Sequence, residues 1–174
     1  VIVGMRRAGK SSVLRVSLKE VELPHAILDV KGIYFEKGIV SRQAIYANIA
    51  EYFSTNLKFF ERIGFNVRDL AKRIKGFHVM SSGIDIEPTA NFSLRDLLER
   101  MDAWCERNGT RFILAFDEAQ YLRYGGGVRY DGIIAWCVDN LPNITIILTG
   151  SEVGMLSDFL KIEDPESPLF GRYH

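Results

Sequence analysis

Three short stretches hold residues whose types and spacing could do chemistry. "GMRRAGKS" (4–11) sets two glycines with four residues between them and follows the second with Lys10 and Ser11. "FILAFDE" ends an apolar run on two adjacent carboxylates, Asp117 and Glu118, and "IILTGSE" ends another on the hydroxyls of Thr149 and Ser151. An amine and a hydroxyl behind a Gly-rich turn suit an anion with several oxygens. Carboxylates at a strand end suit a divalent cation and a water proton.

The first stretch has two readings. Arg6, Arg7 and Lys10 could be a basic patch for a nucleic-acid backbone. Alternatively, the fixed positions of G-x-x-x-x-G-K-[ST] are all filled, by Gly4, Gly9, Lys10 and Ser11. Four residues between the glycines let the chain curl so that successive N–H groups point inward, and the helix that follows aims its positive end at the same anion. The second reading is preferred, because the match sits between the apolar "VIV" and a helical stretch. It makes Gly4, Arg7, Ala8, Gly9, Lys10, Ser11 and Ser12 the cradle of a nucleotide's phosphates. Lys10 reaches the β- and γ-phosphates, Ser11 offers its hydroxyl to Mg²⁺, and Ser12 serves the α-phosphate side. The side chains of Arg6 and Arg7 stand at variable positions, as bystanders or gates.

Asp117, at the end of a buried strand, is expected to hold Mg²⁺ opposite Ser11, and the adjacent Glu118 to orient or deprotonate the attacking water. An acidic pair alone would be a solvated turn; the upstream loop gives it this meaning. No N-K-x-D guanine signature is present, so ATP is the expected nucleotide and hydrolysis the expected reaction. Thr149 and Ser151 are expected to emerge at the same sheet edge, to sense the γ-phosphate or hold water. Capping of the following helix is the competing role for Ser151. Arg172 in "SPLFGRYH" is a candidate for stabilising charge on the phosphoryl group, in cis or from a neighbouring subunit, with an ordinary surface arginine as the alternative.

Positioning these groups requires strands alternating with helices, the pattern of a parallel sheet with crossovers. "VIV" (1–3), "HAILDV" (25–30), "RFILAF" (111–116) and "NITIILTG" (143–150) read as buried strands. Ser41 reads as the cap of a helix whose face carries Ile45, Ile49, Tyr52, Phe53, Leu57 and Phe60. Val67, Leu70, Ala71 and Ile74 mark a second amphipathic piece, with Arg68, Lys72, Arg73 and Lys75 on its polar side. "FHVMSSGIDIEP" reads as a small hairpin or edge strand. Ser93 and Asp96 open a helix that Asn108-Gly109 closes. "YLRYGGGVRYDG" reads as a flexible loop, "IIAWCVDNL" as a helix after it, and "EVGMLSDFL" as another.

The 174 residues suit one domain, and Lys plus Arg (22) equal Asp plus Glu (22), which argues against polyanion binding by bulk charge. Cys105 and Cys137 have no metal-like spacing and are expected as buried thiols in a reducing cytoplasm. The apolar runs are strand-length, so no membrane contact is expected. His25, His78 and His174 show no ligand spacing. A strand that begins at residue 1 makes a piece of a longer protein the expectation.

Taken in order, "VIVGMRRAGKSSVLR", "AILDV", "FILAFDEAQYL", "IILTGSE" and "SPLFGR" resemble the archaeal-type ATPases, P-loop proteins related to the STAND and AAA+ groups. The resemblance covers most of the chain. It implies a three-layer α/β sandwich around a parallel sheet of order 5-1-4-3-2, with the first four core strands in this sequence. It supports the roles above for the phosphate loop, Asp117 and Glu118, makes Ser151 the sensor position with Thr149 nearby, and strengthens Arg172. It also implies an upstream segment that holds the base and, beyond "GR", a fifth strand, a helical lid and an effector domain. The expected function is ATP hydrolysis with Mg²⁺ coupled to conformational change. A slow regulatory switch set by bound ATP or ADP is the alternative. Self-association or an effector domain is the expected partnership, with DNA contact only through regions outside these residues.

Overall fold

A computed structural model describes residues 1–3, 9–87, 91–161 and 163–171. Its strands are β1 (Ile2–Val3), β2 (His25–Asp29), β3 (Phe77–Val79), β4 (Ile84–Ile86), β5 (Phe112–Asp117) and β6 (Ile144–Gly150). Its helices are α1 (Lys10–Glu20), α2 (Val30–Lys37), α3 (Arg42–Thr55), α4 (Leu57–Arg62), α5 (Val67–Arg73), α6 (Leu94–Arg107), α7 (Tyr130–Asn140) and α8 (Val153–Leu160). A 3-10 turn, Ala119–Tyr124, follows β5. β1, β6, β5 and β2 form one parallel sheet in that order, and β3 pairs antiparallel with β4 apart from it. With the hairpin set aside, the core strands run 1-4-3-2, as the resemblance implies.

Alternation along each strand makes the layers. Ile113 and Ala115 of β5, with Ile27 and Ile147 beside them, meet Leu14 and Leu18 of α1 on one face. Phe112, Leu114 and Phe116, with Ala26, Leu28 and Leu148, meet the larger helical layer on the other. Burying an apolar side chain contributes about 1.5–3 kcal/mol, while fixing one residue's backbone costs about 1–2 kcal/mol. A central strand covered on both faces therefore holds its shape with a margin that an uncovered one lacks. No residue of β5 is exposed.

Helix starts follow their caps. Ser41 Oγ accepts from Ala44 N at 3.1 Å and Ser93 Oγ from Asp96 N at 3.3 Å. Asp96 does not return the bond that a full capping box requires; its carboxylate takes Arg100 at 2.9 Å instead. The single face expected from Ile45 to Phe60 is split at Asn56 into α3 and α4, and Ile45, Ile49, Phe53 and Phe60 still reach the core. β2 ends one residue early, because Asp29 Oδ1 accepts from Gly32 N at 2.9 Å and starts α2.

The segment expected to be a flexible loop is instead anchored. Residues 119–124 form the 3-10 turn, and α7 begins at Tyr130, three residues before the expected helix. Tyr34 stacks on Tyr124 with ring centres 4.5 Å apart, and Val40 N donates to the Tyr124 carbonyl at 3.0 Å. The buried Tyr130 hydroxyl donates to the Val40 carbonyl at 2.6 Å. Glycines and charges in this stretch suggest freedom, but the aromatic residues between them decide. Tyr130→Phe removes one buried hydrogen bond, and a loss of about 1–3 kcal/mol is expected. Urea denaturation should show it as a lower midpoint at unchanged slope.

Candidate active site

The register of the sheet brings the polar residues together. Asp29 pairs with Asp117 across β2 and β5, and Phe116 with Leu148 across β5 and β6. Thr149 therefore comes next, at the level of Asp117, and pairs with Ile2 of β1 on its other side. All four strands end on one edge, the edge at which parallel α/β sheets place their chemistry.

Lys10 is the first residue of α1, and Gly9 before it has φ +78°. A Cβ added at Gly9 would meet nothing within 4 Å among the described residues. Backbone conformation is a reason for glycine there, since a left-handed residue with a Cβ costs about 1–2 kcal/mol. Among the described residues no side chain caps α1, and no acid stands in its first turn. Its leading N–H groups and positive dipole end thus suit an anion. Ser11 is half-buried and Ser12 exposed. Gly4, Arg6, Arg7, Ala8 and Arg172 lie outside the described residues.

Asp117 is buried, and the Thr149 hydroxyl donates to its Oδ1. Thr149 also accepts from Glu118 N at 3.4 Å. Thr149 does stand at the sheet edge expected of it, level with Asp117, but it is fully buried there and its hydroxyl is spent on Asp117. The reason is register, because the row that ends β5 on a carboxylate puts the β6 hydroxyl directly beside it.

Glu118 leaves the strand in a left-handed conformation, φ 56° and ψ 47°, unusual for a residue with a side chain. Its Oε2 accepts from Ser151 Oγ at 2.6 Å, from Ser151 N at 3.3 Å and from Gln120 Nε2 at 2.5 Å. Burial pushes the Glu118 carboxyl upward. The bonds from Ser151 and Gln120, with the charge of Lys31, outweigh it and hold the group below its ordinary value. Glu118 is therefore an anion near neutrality. Ser151 does not cap α8, whose flanking Glu152 makes no side-chain cap either; its hydroxyl goes to Glu118.

One residue of this cluster has no role legible in the motifs. Gln120 stands two positions after Glu118 and is fully buried. Its signal is an amide in the otherwise apolar "AQYL", but nothing in the spacing says which neighbour it meets. Hard oxygen donors at Asp117 and Ser11 fit Mg²⁺, which one or two protein oxygens and phosphate oxygens commonly hold. Among the described residues no group of three His, Cys, Asp or Glu gathers as a metal cage.

The basic residues considered for nucleic acid are partly occupied. Arg68 donates to the carbonyls of Met80 and Ser81, and Arg73 pairs with Asp69. Lys72 and Lys75, with Arg100 and Arg107, line an open groove beside α5 and α6. His25 is buried against Phe59 and its Nδ1 lies 3.0 Å from the Leu23 carbonyl. Among the described residues no helix is long and apolar enough to cross a membrane.

Among solved structures, the chain is similar to a Walker-type ATPase of Pyrococcus abyssi, with a TM-score of 0.78 and 38% identity over 99% of this chain. The chain spans 45% of that protein's length. No protein-family model matches the chain, and no curated protein does.

Thr149→Val keeps the shape of the side chain and removes the hydroxyl that donates to the buried carboxylate of Asp117. A loss of about 1–3 kcal/mol is expected, and Thr149→Ser should recover most of it. Thermal unfolding of the three proteins without nucleotide checks both.

Proposed function

We propose that this chain, an archaeal-type P-loop ATPase, binds ATP with Mg²⁺, hydrolyses the β–γ phosphoanhydride bond and couples the cycle to a conformational change. One observation carries the reading. The adjacent carboxylates of Asp117 and Glu118 are held separately at the end of β5, one by Thr149 and the other by Ser151 and Gln120. Two carboxylates with two different sets of partners suit two tasks, holding a cation and ordering a water.

The N–H groups of Gly4, Arg7, Ala8 and Gly9 and the start of α1 receive the phosphates, with Ser12 toward the α-phosphate. Lys10 bridges the β- and γ-phosphates. Asp117 and Ser11 would hold Mg²⁺, which when bound would supply charge neutralisation to the phosphates. Glu118 accepts a hydrogen bond from the attacking water. The water oxygen forms the new bond to the γ-phosphorus as the bond to the bridging oxygen breaks. Glu118 orients that water or takes up its proton, which ends on the released phosphate. Ser151 reports the γ-phosphate through Glu118, and Arg172 stabilises charge on the phosphoryl group. Residues 1–174 act as one nucleotide-binding domain. The buried free thiols Cys105 and Cys137 suit a reducing cytoplasm.

Glu118→Gln should slow single-turnover hydrolysis at saturating ATP by about 10²–10⁴-fold while retaining nucleotide affinity, and Lys10→Ala should lose affinity. An unchanged rate in Glu118→Gln removes the catalytic assignment. In the parent, product release much slower than hydrolysis would identify a regulatory switch in place of a rapidly cycling motor.

A further inference from the structure

The groups around Glu118 are arranged asymmetrically. Among the described residues every hydrogen-bond donor to this carboxylate falls on one oxygen, Oε2, from Gln120 and from Ser151. Oε1 receives none of them. Gln120 must present its Nε2 to a carboxylate, since an amide oxygen there would face another acceptor, so the orientation of the amide is fixed by charge. That leaves Gln120 Oε1 buried without a hydrogen-bond partner among the described residues. Burying such an acceptor without a partner is destabilising, and a side chain chosen for packing alone would not carry it.

The surrounding structure also makes room for this amide. A Cβ added to Gly150 would lie 2.8 Å from Gln120 Oε1 and 2.7 Å from Leu156 Cδ2. Gly150 is the last residue of β6, between the threonine that serves Asp117 and the serine that serves Glu118. The bare backbone at Gly150 is what lets the Gln120 side chain lie across the end of β6. Glu118 itself is held in a left-handed conformation, a strain of about 1–3 kcal/mol that persists where neighbours over-determine it.

We infer that Gln120 is a positioning residue: with Ser151 it saturates Oε2 of Glu118 and so decides that Oε1 is the oxygen presented to the attacking water. The inference rests on the reading of Glu118 as the group that orders that water. Gln120 touches neither water nor nucleotide in this role, and acts only through Glu118. Its unpartnered oxygen is the cost of aiming its amide nitrogen at the carboxylate.

Gln120→Met tests this on the full-length protein, because it keeps length and volume while removing both the bond to Glu118 and the orphaned acceptor. Single-turnover hydrolysis at saturating ATP with Mg²⁺ should fall about 10–10²-fold, the scale of a small misplacement of a reacting group. Affinity for a fluorescent ATP analogue should stay within about 2-fold. The melting temperature without nucleotide should hold or rise by about 2–4 °C. In a Glu118→Gln background the same change should cost nothing further. Gln120→Ala, which opens space instead of refilling it, repeats the rate and background measurements should the methionine not pack. A retained rate, a loss that adds to that of Glu118→Gln, or a lower melting temperature with a matching loss of affinity overturns the assignment. If Glu118→Gln alone leaves hydrolysis unchanged, the reading of Glu118 falls and Gln120 with it. If Glu118→Gln is slow and Gln120→Met is not, only the inference fails.

Discussion

The hydrogen bond from Thr149 to Asp117 is the interaction on which the rest of the site depends. β5 has no exposed residue, yet it ends on a carboxylate. An ionised carboxylate withdrawn from water costs several kcal/mol unless a donor meets it. The donor comes from β6, at the position that the pairing of Phe116 with Leu148 puts next to Asp117. A hydroxyl meets that carboxylate without bringing in a second charge, and it anchors the group at one oxygen, Oδ1.

That anchor shapes the next residues of the chain. With Asp117 fixed, Glu118 has to turn away, and its left-handed backbone sends its side chain toward the end of β6 instead of back into the sheet. Ser151 and Gln120 meet it there from two directions. The strain at Glu118 and the unpartnered oxygen of Gln120 are both unfavourable, and the two residues stand two positions apart. Departures from the local rules gathered at one point of an otherwise consistent fold are the pattern expected of a functional site.

The layering, and the gathering of Asp117, Glu118, Thr149 and Ser151 at one sheet edge, were legible in the sequence because both rest on period and type. Continuous apolar runs in "RFILAF" and "NITIILTG" describe strands covered on two faces, and the structure has them as β5 and β6. The caps Ser41 and Ser93 were legible because a cap is a local bond. Three features were not. The anchoring of 119–132 depends on Tyr34, Tyr124, Val40 and Tyr130, which meet across long stretches of chain. The burial of Thr149 and the engagement of Ser151 by Glu118 depend on which residues of two strands are level, and strand spacing does not state that. Gln120 lies within a legible motif but has no partner visible there, because that partner is reached through a turn of positive φ.

Register is the link between these levels. The apolar pattern of β6 faces Ile146 and Leu148 toward the larger helical layer and Ile147 toward α1. A slip of one residue would exchange those faces and expose part of the core, so packing alone holds β6 in place against β5. The same placement is what lets Thr149 meet Asp117 and Ser151 meet Glu118, from the two sides of Gly150. The chemistry at the sheet edge thus needs no separate device to align it. Side chains far from the edge, chosen for nothing but shape and hydrophobicity, set the distances between the carboxylates and the hydroxyls that hold them. A core substitution that lets β6 shift should therefore reach both carboxylates together, whereas a change at Gln120 reaches Glu118 alone.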